Sequence, residues 1–147
     1  MKVAYIARSI IPSQAANSIH VMKISESFAE LCGEMDLVVP EVKEWSIQED
    51  IFEYYGIRTK FAIQRIKKPE WLKGFYRYYF AAAATRKIVK NKYEKVITRD
   101  PLVAFMCVLL HKKVVLDLHG ELAQICGRAY RIIKWDFFRK SKDIIIF

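Results

Sequence analysis

The sequence predicts an α/β fold, a Rossmann-like parallel sheet of about six strands with helices on both faces. Short apolar runs of strand length alternate along the chain with longer segments of helical periodicity. Turn-forming or charged residues follow the apolar runs. Such an alternation winds into a parallel sheet through right-handed crossovers, and the expected strand order is 3-2-1-4-5-6.

Six apolar runs are predicted as strands because charged residues, glycine or proline bound them. In chain order they cover residues 3–7, 36–39, 60–66, 95–98, 113–117 and 143–147. The third run alternates apolar and polar residues, which is typical of an edge strand with one solvated face.

Helices are predicted between these strands. In the first, large apolar residues recur at helical spacing from Ile19 to Leu31 and Cys32, and Gly33 ends the helix. The others are a short helix from Ser46 to Tyr54, a long one over 73–91, a buried one over 102–110 and a helix or helix pair over 122–140. Asp100 is the expected N-cap of the buried helix, with Pro101 at its first position.

The predicted strand order changes direction between the first and fourth strands, and open α/β sheets bind ligands at such a point. The strand exits at residues 9–17, 98–101 and 118–121 line this crevice. We expect Asn17 to cap the first helix, beginning near Ser18, and the backbone N–H groups of 18–20 to face the crevice. An anionic or hydroxyl-rich ligand would bind there. Ser9, Asn17 and Ser18 either contact the acceptor or a phosphate, or only form and cap the turn. Arg99 either binds an anionic acceptor or has a structural role.

The positive charge is concentrated in the middle of the chain. The 147 residues carry a net charge of +9, and residues 56–95 contain twelve basic and two acidic residues. This excess predicts an anionic partner. Aromatic residues interleave with the basic ones, so the segment is either a membrane-facing surface or a solvated face over buried aromatics. The membrane-facing candidates are Lys67, Lys68, Trp71, Lys73 and Arg77. We expect no nucleic-acid partner because no nucleic-acid-binding motif accompanies the charge.

The cysteines predict the redox state of the protein, and missing sequence motifs exclude several classes of enzyme. Cys32, Cys107 and Cys126 are odd in number and widely spaced, which predicts reduced thiols in a cytoplasmic protein. No signal peptide or membrane span is predicted. The phosphate-binding glycine motifs of dinucleotide enzymes and P-loop proteins are absent, as is the nucleophile motif of α/β-hydrolases. No metal site is expected.

Five stretches, in order and on the expected elements, resemble the family 4 retaining glycosyltransferases. They are PSQAANSIHVMKISESFAE at 12–30, FEYYGI at 52–57, VITRD at 96–100, LDLHGE at 116–121 and KDIII at 142–146. The resemblance implies one half of a GT-B fold, with residues 1–147 as a truncated amino-terminal, acceptor-side domain. The carboxyl-terminal donor-binding domain and its paired-glutamate motif are absent. Where the family often has two glycines, this chain has Ala15, Ala16 and Asn17.

The resemblance implies transfer of a sugar, with retention, from a nucleotide sugar to a glycan or lipid-linked acceptor in cell-surface polysaccharide biosynthesis. His119 directly follows the fifth strand, where a histidine is either a core residue bonded to a carbonyl or a ligand contact. In the family it contacts the transferred sugar. Glu121 either binds sugar hydroxyls or caps the next helix.

Together, these features predict a cytoplasmic enzyme, either in solution or peripheral at the inner face of the membrane. Its substrates would be the nucleotide sugar and the acceptor, and neither a cofactor nor a metal is expected. Residues 1–147 alone are predicted to be inactive without the missing domain. The alternative interpretation is a non-catalytic Rossmann-like binding or membrane-docking module.

Overall fold

A computed structural model describes residues 1–42, 50–72, 74–117 and 144–146, the last three by backbone alone. The strands are β1 Lys2–Ile6, β2 Glu34–Pro40, β3 Ala62–Ile66, β4 Lys95–Thr98, β5 Val114–Leu116 and β6 Ile144–Ile146. The helices are α1 Ala16–Cys32, α2 Ile51–Tyr54, α3 Tyr76–Lys90 and α4 Pro101–Leu109, with a 3-10 turn at Glu70–Leu72. The predicted helix or helix pair over 122–140 lies outside the described residues.

The strands form a single all-parallel sheet. The first five have the order β3-β2-β1-β4-β5, as predicted, and β6 pairs with β5. At the centre, Tyr5 of β1 lies between Leu37 of β2 and Ile97 of β4. This order places the carboxyl ends of β1 and β4 side by side, at the point where the chain changes direction across the sheet.

Helices cover both faces because successive strand residues point to opposite sides. On one face, Ala4 and Ile6 pack with Phe80 of α3 and Cys107 of α4. On the other face, Tyr5 belongs to a cluster formed with residues of α1 and α2. Each strand of the sheet centre is therefore buried on both sides, which is why its sequence is continuously apolar.

The buried stripe of α1 differs from the prediction. Ile19 and Leu31 are exposed, although their spacing predicted burial. The residues buried against the sheet are Ser18, Val21, Met22, Ser25 and Ala29. The buried Ser25 hydroxyl is satisfied because it donates to the Val21 carbonyl at 2.7 Å.

Three other helices also differ from their predicted bounds or burial. The described part of the short helix begins after Asp50, which accepts a hydrogen bond from the Phe52 amide at 3.0 Å; the predicted start at Ser46 lies outside the described residues. The long helix begins at Tyr76 because the 3-10 turn precedes it. At the end of α4, Leu109 and Leu110 are exposed, although the apolar run predicted burial all round.

Burial suppresses ionisation in the core. It raises the pKa of the Cys107 thiol to about 12 and, together with a hydrogen bond to Asp36, raises the pKa of Tyr93 to about 12. Cys32 and Cys107 are free thiols, and Cys126 lies outside the described residues. None of the helices within the described ranges is long and apolar enough to cross a membrane.

Candidate functional site

The candidate site lies where the segment after β1 meets the segment after β4. The Asn17 side chain connects them. Its Nδ2 donates to the Ser9 hydroxyl at 2.7 Å, and its Oδ1 accepts from Nη1 of Arg99, which is 82 residues away in the sequence. The structure thus brings together three of the residues predicted to contact substrate, Ser9, Asn17 and Arg99.

The prediction that Asn17 caps α1 is wrong. Its side chain is instead bound to Ser9 and Arg99. The helix begins two residues earlier than predicted, at Ala16, with Ala15 as N-cap and no side-chain cap. The amides of Ser18 and Ile19 donate to the Ala15 carbonyl at 2.8 and 3.2 Å. The prediction that these amides face a ligand is therefore also wrong.

Ser18 stabilises the loop that precedes α1. Its side chain is buried, and its hydroxyl donates to the Ile10 carbonyl at 2.8 Å. This bond fixes the loop that carries Ser9. The Ser18 hydroxyl therefore donates its proton to the loop backbone. Asn17, in contrast, is exposed at the edge of the crevice.

Arg99 lies between α1 and the end of β5. Its Nε is 3.5 Å from Oδ2 of Asp117, the residue that follows β5. Its backbone amide donates to the Ile6 carbonyl at 3.3 Å, which fixes the start of the side chain at the sheet edge. A guanidinium carries five N–H donors, so Arg99 can hold Asn17 and Asp117 and still bind an acceptor hydroxyl or anion.

Tyr5 lies next to this pair, and sequence reasoning missed it. Its hydroxyl is fully buried and has no hydrogen-bond partner among the described residues. Burial raises the pKa of the phenol, while the charge of Arg99 lowers it. The hydroxyl therefore stays protonated near neutral pH. No local pattern distinguishes Tyr5 from the other apolar residues of its strand.

Asp100 anchors the other side of the crevice. It is the N-cap of α4, as predicted, and accepts a hydrogen bond from the Leu102 amide at 2.9 Å, with Pro101 at the first helical position. Its carboxylate is only 2% exposed. Arg8 Nε lies 2.5 Å from Oδ2, and Arg77 Nη2 lies 3.9 Å from Oδ1.

The predicted membrane-facing residues separate into two groups. Lys67, Lys68 and Trp71 are exposed. Arg77 instead turns toward Asp100, with its side chain 25% exposed. The assignment of Arg77 to an exposed surface is corrected by this ion pair. Lys73 lies outside the described residues.

An apolar groove of about 450 Å³ opens beside the crevice. It runs between α1 and the sheet, and its lining includes Ile24, Phe28, Ile97, Val115 and, at one end, Asp117. Its volume is in the range of small-molecule binding sites.

Two central predictions, His119 and Glu121, lie outside the described residues. Among the residues that are described, no group of His, Cys, Asp or Glu side chains could hold a metal ion. No protein-family model matches the chain, and no curated protein is found with significant similarity to it.

Proposed function

We propose that this chain is the acceptor-side domain of a retaining glycosyltransferase with a GT-B fold. The observation that carries the proposal is the bridge from Ser9 through Asn17 to Arg99, at the point where the sheet order reverses. Ligands of open α/β sheets bind at this point. A hydroxyl, an amide and a guanidinium together offer the donors and acceptors that a glycan requires.

The groove beside Asp117 favours an acceptor with an apolar portion. Five of its eight lining residues are apolar, and the three polar ones are His20, Ser27 and Asp117, the ion-pair partner of Arg99. A lipid-linked acceptor could place its lipid along the groove and its polar part at Arg99. This arrangement favours a lipid-linked acceptor over a free glycan.

The remaining functions come from the family resemblance. A carboxyl-terminal domain would hold the nucleotide diphosphate, and His119 would contact the transferred sugar, with Glu121 nearby. Catalysis would be electrostatic, because donors placed where negative charge develops stabilise the transition state more than the substrate. No step requires a cofactor or a resident metal.

The proposal is tested by sugar transfer from nucleotide sugars to lipid-linked acceptors. We expect transfer only when residues 1–147 are joined to a donor-binding domain, because this chain supplies part of the site. In that longer protein, His119→Ala should reduce turnover by about two orders of magnitude, the scale of one lost transition-state hydrogen bond.

His111→Ala is the matched control, because His111 follows α4 and is not placed in the site. It should leave turnover unchanged. Transfer by residues 1–147 alone, or full turnover by the His119 variant, would contradict the assigned roles.

A specific surface favours membrane docking as a second candidate function. Trp71, Phe75 and Tyr78 are 82%, 69% and 54% exposed. Lys67 and Lys68 are exposed next to them in the sequence. Exposed aromatic side chains flanked by lysines suit an anionic lipid surface, where the rings enter the interface and the ammonium groups meet the head groups. Docking of this kind is compatible with the enzyme or with a non-catalytic module.

Flotation with anionic vesicles tests this surface. Each lysine near such a membrane contributes about 1 kcal/mol, so reversing three charges should reduce partition by about two orders of magnitude or more. The variant is Lys67→Glu, Lys68→Glu and Lys73→Glu. The control reverses three exposed lysines between the end of α3 and the start of β4, Lys90, Lys92 and Lys95. Equal partition of the two triple variants would exclude a docking surface at residues 67–78.

A further inference from the structure

A second polar cluster at the carboxyl edge of the sheet has more positive than negative charge. Arg8 lies two residues after the end of β1, and Arg77 lies in the first turn of α3. Both guanidinium groups converge on one carboxylate, that of Asp100. We define Arg8, Tyr76, Arg77 and Asp100 as the arginine cluster.

The Asp100 carboxylate lies at different distances from the two arginine side chains. Arg8 Nε approaches Oδ2 to 2.5 Å, but Oδ2 accepts no hydrogen bond of normal geometry from the described residues. Arg77 Nη2 is 3.9 Å from Oδ1, beyond hydrogen-bond distance. Both arginines therefore retain donor capacity that the carboxylate does not use.

Two further donors in the cluster are buried without a partner. The Tyr76 hydroxyl and Arg77 Nε make no hydrogen bond to any described residue. Buried polar atoms are nearly always satisfied, so an orphaned pair of donors beside two guanidinium groups suggests a ligand that accepts. Burial raises the pKa of Tyr76, so its hydroxyl keeps the proton that it would donate.

The surrounding charges favour an anion. Lys68 Nζ lies 5.2 Å from the centre of the Tyr76 ring, and the charge of Arg8 acts on the same phenol by lowering its pKa. Among the residues that the structure describes, Asp100 and Glu41 are the acidic groups that act on the cluster. Set against Arg8, Arg77 and Lys68, these two described carboxylates leave one positive charge in excess.

We propose that the arginine cluster binds a phosphate or pyrophosphate group between Arg8, Arg77 and the Tyr76 hydroxyl. Guanidinium groups pair with phosphate through parallel N–H donors, and such charged hydrogen bonds are stronger than neutral ones. Because the site already contains one carboxylate, an incoming anion competes best if it carries more than one negative charge. The inference concerns anion binding alone and does not depend on sugar transfer.

The test is calorimetric titration of the 147-residue chain with inorganic pyrophosphate and, separately, with inorganic phosphate. Arg8→Gln should weaken pyrophosphate binding at least tenfold. Lys95→Gln, the control, removes an exposed charge at the opposite end of the sheet and should leave binding unchanged.

Asp100→Asn gives the decisive second result. Asparagine retains the capping acceptor but removes the competing negative charge, so pyrophosphate should bind several-fold more tightly. A purely structural ion cluster would show neither the loss nor the gain. The proposal is overturned if the wild-type chain binds neither anion, if Arg8→Gln and Lys95→Gln have equal effects, or if Asp100→Asn weakens binding.

Discussion

Phe80→Ala should lower the free energy of unfolding by about 3–5 kcal/mol, the usual cost of removing a fully buried phenyl ring. Phe80 has no exposed surface and packs between α3, α4 and the sheet residues Ala4 and Ile6. Its removal leaves a cavity that the neighbouring helices cannot fill without moving. Because α3 also carries Arg77, the same change should loosen one side of the crevice.

Urea unfolding followed by circular dichroism measures this effect, and Phe75→Ala is the matched control. Phe75 is five residues earlier in the sequence and is 69% exposed, so its replacement should change stability by less than about 0.5 kcal/mol. Similar losses for the two variants would mean that the packing of α3 against the sheet is wrongly described.

Asp100→Ala should destabilise the chain by about 2–4 kcal/mol. It removes the N-cap of α4, which contributes about 1 kcal/mol, and leaves the guanidinium groups of Arg8 and Arg77 without their buried partner. Both arginines are partly exposed, so water recovers some of the loss, and the expected value lies below that of a fully buried pair.

The variant Asp100→Asn separates the contribution of the N-cap from that of the ion pairs with Arg8 and Arg77. It keeps the oxygen that accepts from Leu102 but loses the charge, so about half of the destabilisation should remain. Equal unfolding midpoints for the Asp100→Ala and wild-type chains would show that the carboxylate neither caps α4 nor holds the arginines.

Local sequence signals predicted the fold and part of the site. The strand Lys95–Thr98 and the cap formed by Asp100 and Pro101 agree with the structure residue by residue. Each signal lies within a few positions of the feature that it specifies. The order of the first five strands follows from adjacency and handedness, which depend on the alternation of elements rather than on individual contacts.

In the site, two of the errors concern contacts between distant parts of the chain. The neighbours of Asn17 predict an N-cap, but its side chain binds Arg99, which is 82 residues away. The basic segment around Arg77 predicts a surface residue, but its partner Asp100 lies on another element. Arg8 could have been found, because it follows β1 much as Arg99 follows β4.

The proposed acceptor site at the ends of β1 and β4 is tested most directly by joining residues 1–147 to a donor-binding domain and measuring how sugar transfer depends on acceptor concentration. Asn17→Ala and Arg99→Gln should each raise the acceptor concentration needed for half-maximal transfer at least tenfold. The double variant should lose little more than either single one, because the two side chains are hydrogen-bonded and act together. Arg86→Gln, on the exposed side of α3, should have no effect. Unchanged acceptor dependence in both single variants would contradict an acceptor site at this crevice.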